Sequence, residues 1–452
     1  MRKIFLTFLL SAAVLVTGRA GIRLPEIIGD NMVLQQQTKV NIWGTASAGA
    51  TVTVIPGWSG QAYTAKANAA GRWSVSVSTP EASMEPQTLT ISENGSPAIT
   101  LRNILIGEVW FCSGQSNMEM PLEGFWDCPV EGSAEEIALS GRMTGIRMAT
   151  VPKTAADTPQ ETVPGRWAVC SPGSARWFSA TAYHFAKMLN SVLGVPVGII
   201  NCSWGGRPIE GWIPGEAEPE MYNGMLYPLH RYTVKGFCWY QGESNVGHHK
   251  AYADRLETMV KAWRDLWGQG ELPFYIVEIA PYLYEGDGTS GARLREAQFK
   301  ASREIPSSGI VCTNDLVYPY EDTQIHPCRK EEVGQRLAYM ALNRTYGYTD
   351  ILCEGPVYRE MRIEGDEVLL FFDNDDSGFS PWYGISGFEI AGEDRVFHPA
   401  EARVLPGEKC IAVKSPAVKV PVAVRYCFRD FCPGNLTGSR NLPAYPFRTD
   451  NW

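Results

Sequence analysis

The chain has 452 residues, 44% hydrophobic and 20% charged, with 49 acidic against 40 basic side chains for a formal charge of −9. That balance belongs to a globular protein of two or three domains; it excludes disordered and fibrous classes and leaves no basic stretch for a nucleic-acid backbone. The 44 Gly and 30 Pro require many turns, and 14 Trp suit sugar-binding surfaces as well as core packing.

The first element in the chain reads as an export signal. Arg2 and Lys3 precede an apolar run over residues 4–16, and Gly18 and Ala20 supply the small residues of a cleavage site. The run is shorter than the roughly 20 residues that a membrane-spanning helix needs. With no other stretch apolar enough, the expectation is an exported chain, periplasmic or secreted, with residues 1–20 removed and no membrane span.

Residues 21–103 read as a β-sandwich. Val40-Asn41-Ile42-Trp43 stops at Gly44, Thr51-Val52-Thr53-Val54-Ile55 follows the small residues 48–50, and Trp73-Ser74-Val75-Ser76-Val77 alternates strictly after Gly71. Short alternating runs between turn residues are the pattern of two packed antiparallel sheets. Over 104–348 the texture changes. Apolar strand candidates at 108–111, 197–201, 236–239, 274–279 and 309–312 alternate with amphipathic helix candidates at 182–193, 252–267, 293–303 and 331–343. Gly194 and Gly268 stand where two of those helices should stop. Repeated β-then-α units build a mostly parallel sheet covered on both faces, a three-layer α/β/α domain. Residues 349–452 return to β-type runs such as Val368-Leu369-Leu370-Phe371-Phe372 and Val422-Ala423-Val424-Arg425-Tyr426, a β-rich carboxyl-terminal region.

The eleven cysteines include no C-x-x-C spacing, which removes zinc-ribbon and thioredoxin chemistry. Cys112, Cys202, Cys238 and Cys312 lie in apolar runs and read as small buried hydrophobes, while Cys427 and Cys432 are a candidate bridge. No H-x-x-x-H spacing or Asp/His cluster occurs, so the expectation is a site with neither metal nor cofactor.

Four polar segments sit where predicted strands end or a helix begins, and the carboxyl ends of parallel strands line the edge where ligands bind. Gly114-Gln115-Ser116-Asn117-Met118 puts a hydroxyl on a tight strand-to-helix turn. Asn201-Cys202-Ser203-Trp204-Gly205-Gly206 allows backbone N–H groups a close approach. Trp239-Tyr240-Gln241-Gly242-Glu243-Ser244-Asn245 adds an amide and a carboxyl group, and Asp322-Thr323-Gln324-Ile325-His326-Pro327 adds an imidazole. Alone, Ser116 reads as a turn residue, the Gly pair as a turn, Gln241 and Glu243 as loop polars and His326 as structural. Their joint occurrence supplies a nucleophile, amide donors and a base, the set that acyl transfer requires. Of the other histidines, His184 lies in an apolar helix, His230 and His398 lack companion motifs, and His248 and His249 are candidate substrate contacts.

These blocks, with Pro208-Ile209-Glu210 and the terminal Asn441-Leu442-Pro443-Ala444 and Pro446-Phe447-Arg448-Thr449-Asp450, resemble SGNH-type carbohydrate esterases, in particular the sialate O-acetylesterase group. The resemblance implies an SGNH-type α/β domain in which Ser116 is the nucleophile and His326 the general base, a free imidazole titrating near roughly 6.5. It implies an oxyanion hole from the Ser116 and Gly205 N–H groups and the Gln241 side chain, and an O-acetylated sugar, small or glycan-linked, as partner. Thr323 stands where many such enzymes carry Asp, so three orienting groups for His326 are open: Asp322, a backbone carbonyl, or Glu243, which is also a candidate substrate contact. Arg207 is the candidate partner for a sialic acid carboxylate. The rival functions are an acetylxylan or other polysaccharide esterase and, in a different class, a non-catalytic glycan-binding protein.

Overall fold

The computed structural model describes residues 21–94, 97–375, 378–438 and 440–452. The export signal expected at 1–20 lies outside the described residues.

The central sheet runs in the order Ser308–Val311, Phe274–Val277, Gly236–Tyr240, Ile99–Gly114, Val197–Ser203, Ile146–Thr150, Trp167–Val169. All neighbours are parallel except the last pair. The strands are apolar on both faces because both are covered. Trp110, Cys112, Cys238 and Tyr240 face the core under helices Ala180–Leu193 and Lys330–Arg344. Val109, Phe111, Phe237 and Trp239 pack instead with residues of His249–Trp267 and Ser290–Glu304. The expected three layers result, and Gly194 and Gly268 close their helices in the left-handed conformation at φ 67 and 63.

Ile99–Gly114 is 16 residues long and serves two sheets. Its first part pairs with Ser83–Glu93 and Val33–Gln35, its last part with Val197–Ser203 and Gly236–Tyr240. The boundary expected between 103 and 104 therefore falls inside one strand. Lys39–Thr45 and Arg72–Ser78 form the opposing amino-terminal sheet, their Val40, Ile42, Val75 and Val77 sharing a core with Val52, Val54, Leu89 and Ile91. The carboxyl-terminal region has two four-stranded antiparallel sheets over a common core that includes Val368, Leu370, Ile390, Val413 and Val424. It docks on the α/β layers through the Arg448–Glu296 ion pair and through the Tyr445 hydroxyl, which donates to the Ile310 carbonyl.

Cys112, Cys202, Cys238 and Cys312 are buried as expected, and Cys427 and Cys432 are free thiols. Among the described residues no helix is long and apolar enough to cross a membrane. Chain order reverses at Ile99–Gly114, later strands being added first on one side and then on the other. The loops after 114, 203 and 240 consequently meet at the edge where ligands bind in open α/β sheets.

Candidate active site

The site begins with a turn that only glycine permits. Gly114 has φ 142, and a Cβ there would lie 2.0 Å from the Tyr240 carbonyl oxygen. The Gln115 N–H donates to that carbonyl at 3.0 Å, and Gln115 Oε1 accepts from the N–H groups of Gly242 and Ser244 at 3.2 and 3.4 Å. Ser116 opens the short helix Ser116–Glu119, so its N–H has no intrahelical acceptor. From the second block, the Trp204 N–H donates to the Gly114 carbonyl at 3.0 Å, and a Cβ on Gly205 would be 3.2 Å from Ser116 Cβ. The first three blocks thus converge on Ser116.

Asn117 brings in the fourth. It is fully buried; its Nδ2 donates to Glu243 Oε1 at 2.5 Å and to the Ile325 carbonyl at 3.0 Å, and its Oδ1 accepts from Lys330 Nζ at 2.8 Å. Because Asn117 follows Ser116 and Ile325 precedes His326, these contacts tie the Ser116 turn to the His326 loop. Neither Asn117 nor Lys330 was assigned a role from the sequence. Only the Asn inside the Gly-Gln-Ser-Asn block carried any signal, since a lysine at a helix start reads as surface.

His326 is partly buried, its ring edge-on to Phe125 at 5.0 Å and its Nδ1 3.8 Å from Cys128 Sγ. Burial first, and the Lys330 ammonium second, push its pKa down to about 4, against the carboxylates of Asp127 and Glu119. It lines a cavity of about 560 Å³ together with Asp127, Glu131, Tyr318, Tyr320 and Gln324. Among the described residues no hydrogen bond joins the Ser116 hydroxyl to the His326 ring. Catalytic contacts of this kind often tighten only when substrate binds.

Three expectations need correction. Asp322 does not orient His326: its side chain has no hydrogen-bond partner among the described residues, and only its backbone carbonyl is engaged, accepting from the Leu283 N–H at 2.8 Å. The preceding Glu321 is the acid that shapes this loop, accepting from the N–H groups of Tyr318 at 2.8 Å and Cys328 at 2.9 Å. Gln241 is fully buried, with both amide hydrogens committed, to Asn245 Oδ1 at 2.7 Å and the Arg207 carbonyl at 3.3 Å, so none is left for an oxyanion. Glu243 is 8% exposed and held by Asn117 rather than facing a ligand, and burial raises its pKa above the usual carboxylate range.

The remaining residues lie near Ser116 or well away from it. The Gly205 N–H donates to Glu119 Oε2 at 2.6 Å, while Glu119 Oε1 pairs with Lys153 Nζ at 2.6 Å. A carboxylate therefore rests on the amide expected to hold the reacting oxygen. The Arg207 guanidinium lies 4.8 Å over the Trp204 ring and pairs with no carboxylate among the described residues. His248 and His249 line a separate cavity with Lys250, Arg255 and Arg293. His184 is 1% exposed with neither ring nitrogen bonded.

The fold and the proteins it matches define a carbohydrate-active ester hydrolase. The chain superposes on the crystal structure of a carbohydrate acetylesterase from Xanthomonas citri with a TM-score of 0.87 at 35% identity, covering 95% of this chain and 100% of that one. The family model described as carbohydrate esterase, sialic acid-specific acetylesterase matches residues 106–343, and the chain belongs to that family. It is similar to the sialate O-acetylesterase of Pongo abelii, 26% identical over 407 residues, covering 77% of this chain and 76% of that protein. The sialate O-acetylesterase of Mus musculus is 24% identical over 530 residues, covering 98% and 97%.

Proposed function

We propose that this chain hydrolyses O-acetyl esters on sialic acids through an acetylated Ser116, and that it acts outside the cytoplasm after removal of residues 1–20. The observation that carries the reading is the Asn117 side chain, which binds the Ile325 carbonyl at 3.0 Å and so holds the serine turn against the histidine loop. His326 takes the Ser116 proton as the oxygen attacks the acetyl carbonyl carbon, and returns it to the sugar oxygen as the ester bond breaks. Water then loses a proton to His326, attacks the acetyl group, and releases acetate as Ser116 is reprotonated. The Ser116 N–H holds the developing oxyanion, joined by the Gly205 N–H once the ester oxygen takes the place of the Glu119 carboxylate. With no carboxylate bonded to the His326 ring among the described residues, the pair works as a dyad. The Arg207 guanidinium, paired with no carboxylate among the described residues, is the group to receive the sialic acid carboxylate.

Acetate release from O-acetylated sialic acid tests the reading. Ser116→Ala and His326→Ala each lower turnover by about 10⁴ or more; retained activity in either rejects the mechanism. A specific observation favours a second substrate class. Asp127 and Glu131 line the cavity beside His326, and their carboxylates suit the hydroxyls of a neutral polysaccharide. Release of acetate from acetylated xylan alone would keep the mechanism and replace the substrate.

A further inference from the structure

The mechanism above leaves a buried charged pair unused. Lys330, the first residue of helix Lys330–Arg344, is 0% exposed. Its ammonium donates to Asn117 Oδ1 at 2.8 Å and to the Pro327 carbonyl at 2.7 Å, 5.9 Å from the Tyr240 ring. Glu243 occupies the other end of Asn117, with its Oε2 hydrogen-bonded to nothing among the described residues. An ammonium taken out of water costs several kcal/mol even when paired, and an apolar side chain of similar length would serve packing as well or better. The group that receives its charge is the loop it closes: Lys330 bonds the residue after His326 directly, and the residue before it through Asn117.

We propose that Lys330 is a positioning residue for His326, fixing residues 325–327 against the Ser116 turn and placing a cation beside the imidazole. The proposal rests on the Ser116–His326 reading. A neighbouring cation disfavours the imidazolium form, so His326 gives up its proton at lower pH and stays available as a base in mild acid. The groups facing His326 are Lys330 from the following helix, Asp127, and Glu119 from the serine block, with the neutral Cys128 thiol and Phe125 ring in contact. Around Lys330 stand Glu243, Cys128, Glu321 and Cys328; burial brings its pKa down to about 8, so it stays charged through the acid range.

The test is the pH dependence of kcat/KM for p-nitrophenyl acetate with the full chain, comparing the parent with Lys330→Met and Lys330→Gln. Both variants remove the charge, and Lys330→Gln keeps a donor for Asn117 or Pro327 should Lys330→Met fail to fold. The acid limb, near pH 4 in the parent, moves up by about one unit in each folded variant, so that at pH 4.5 activity relative to its own plateau falls roughly threefold. A purely structural lysine would lower the plateau without moving the limb. Folded Lys330→Gln with its limb at the parental pH overturns the proposal. Undiminished activity of His326→Ala overturns it differently, by removing the base on which it rests.

Discussion

Replacing Asn117 by alanine removes a side chain that touches a carboxylate, an ammonium and a peptide carbonyl at 2.5, 2.8 and 3.0 Å in a fully buried position. Hydrogen bonds to charged groups contribute about 1.5–3 kcal/mol each and a neutral one about 1, a gross loss of about 4–7 kcal/mol. Water entering the vacated space recovers part of this, leaving about 3–5 kcal/mol, the range for breaking a buried charged network. At about 2.1 cal/mol/K per residue, unfolding a chain of 452 residues carries an entropy of about 0.9 kcal/mol/K, so Tm falls by roughly 3–5 °C. Turnover falls as well, by about 10²-fold, because the serine turn and histidine loop lose their shared tie. Differential scanning fluorimetry and initial rates on p-nitrophenyl acetate measure both quantities. A Tm within 1 °C of the parent together with kcat/KM within about threefold would refute the assignment of Asn117 as the tie.

Asp322→Ala leaves kcat/KM within about threefold of the parent, since its side chain has no hydrogen-bond partner among the described residues; a loss near 10²-fold or more would return it to the site. Glu119→Ala vacates the Gly205 N–H and raises kcat/KM on p-nitrophenyl acetate about three- to tenfold, a fraction of what one oxyanion donor is worth. A fall of tenfold or more would make that carboxylate a required part of the machinery rather than an occupant. His184 is buried with neither ring nitrogen hydrogen-bonded among the described residues, and burial pushes its pKa down to about 3, whereas an unfolded histidine titrates near roughly 6.5. The unfolded chain binds the extra proton between those values, so stability is complete above about pH 6.5 and declines as pH falls toward 3. His184→Leu flattens the fall of Tm between pH 6.5 and 4; parallel curves for parent and variant would contradict the linkage.

The central strands were legible because each is an apolar run between turn residues, and the helix ends at Gly194 and Gly268 because left-handed closure favours glycine. Two strands escaped. Ile146–Thr150 carries Arg147 at its second position, a buried guanidinium bonded to the carbonyls of Thr144 and Ile146, and Trp167–Val169 has only three residues. The four polar blocks were legible because strand ends gather at one edge. What each polar atom bonds was not. The Gln241 amide is used up by Asn245 four residues on and by the Arg207 carbonyl, Glu119 reaches an amide 86 positions away, and Lys330 looks solvated until the fold encloses it. Spacing offered Asp322 as a candidate, because proximity in sequence does not say which of two adjacent acids, Glu321 or Asp322, the loop turns to use.

The strand Ile99–Gly114 makes the amino-terminal sheets a foundation rather than an appendage. One unbroken backbone runs from the pairing with Ser83–Glu93 to the bend that presents Ser116. Trimming the chain at 104 would strip the partners from Ile104–Gly107 and bare a hydrogen-bonding edge at the root of that bend. Fraying from there would travel toward the hydroxyl one residue pair at a time. Heat or a protease striking the first sheets would thus be felt as lost turnover, although no atom of theirs need ever touch a sugar.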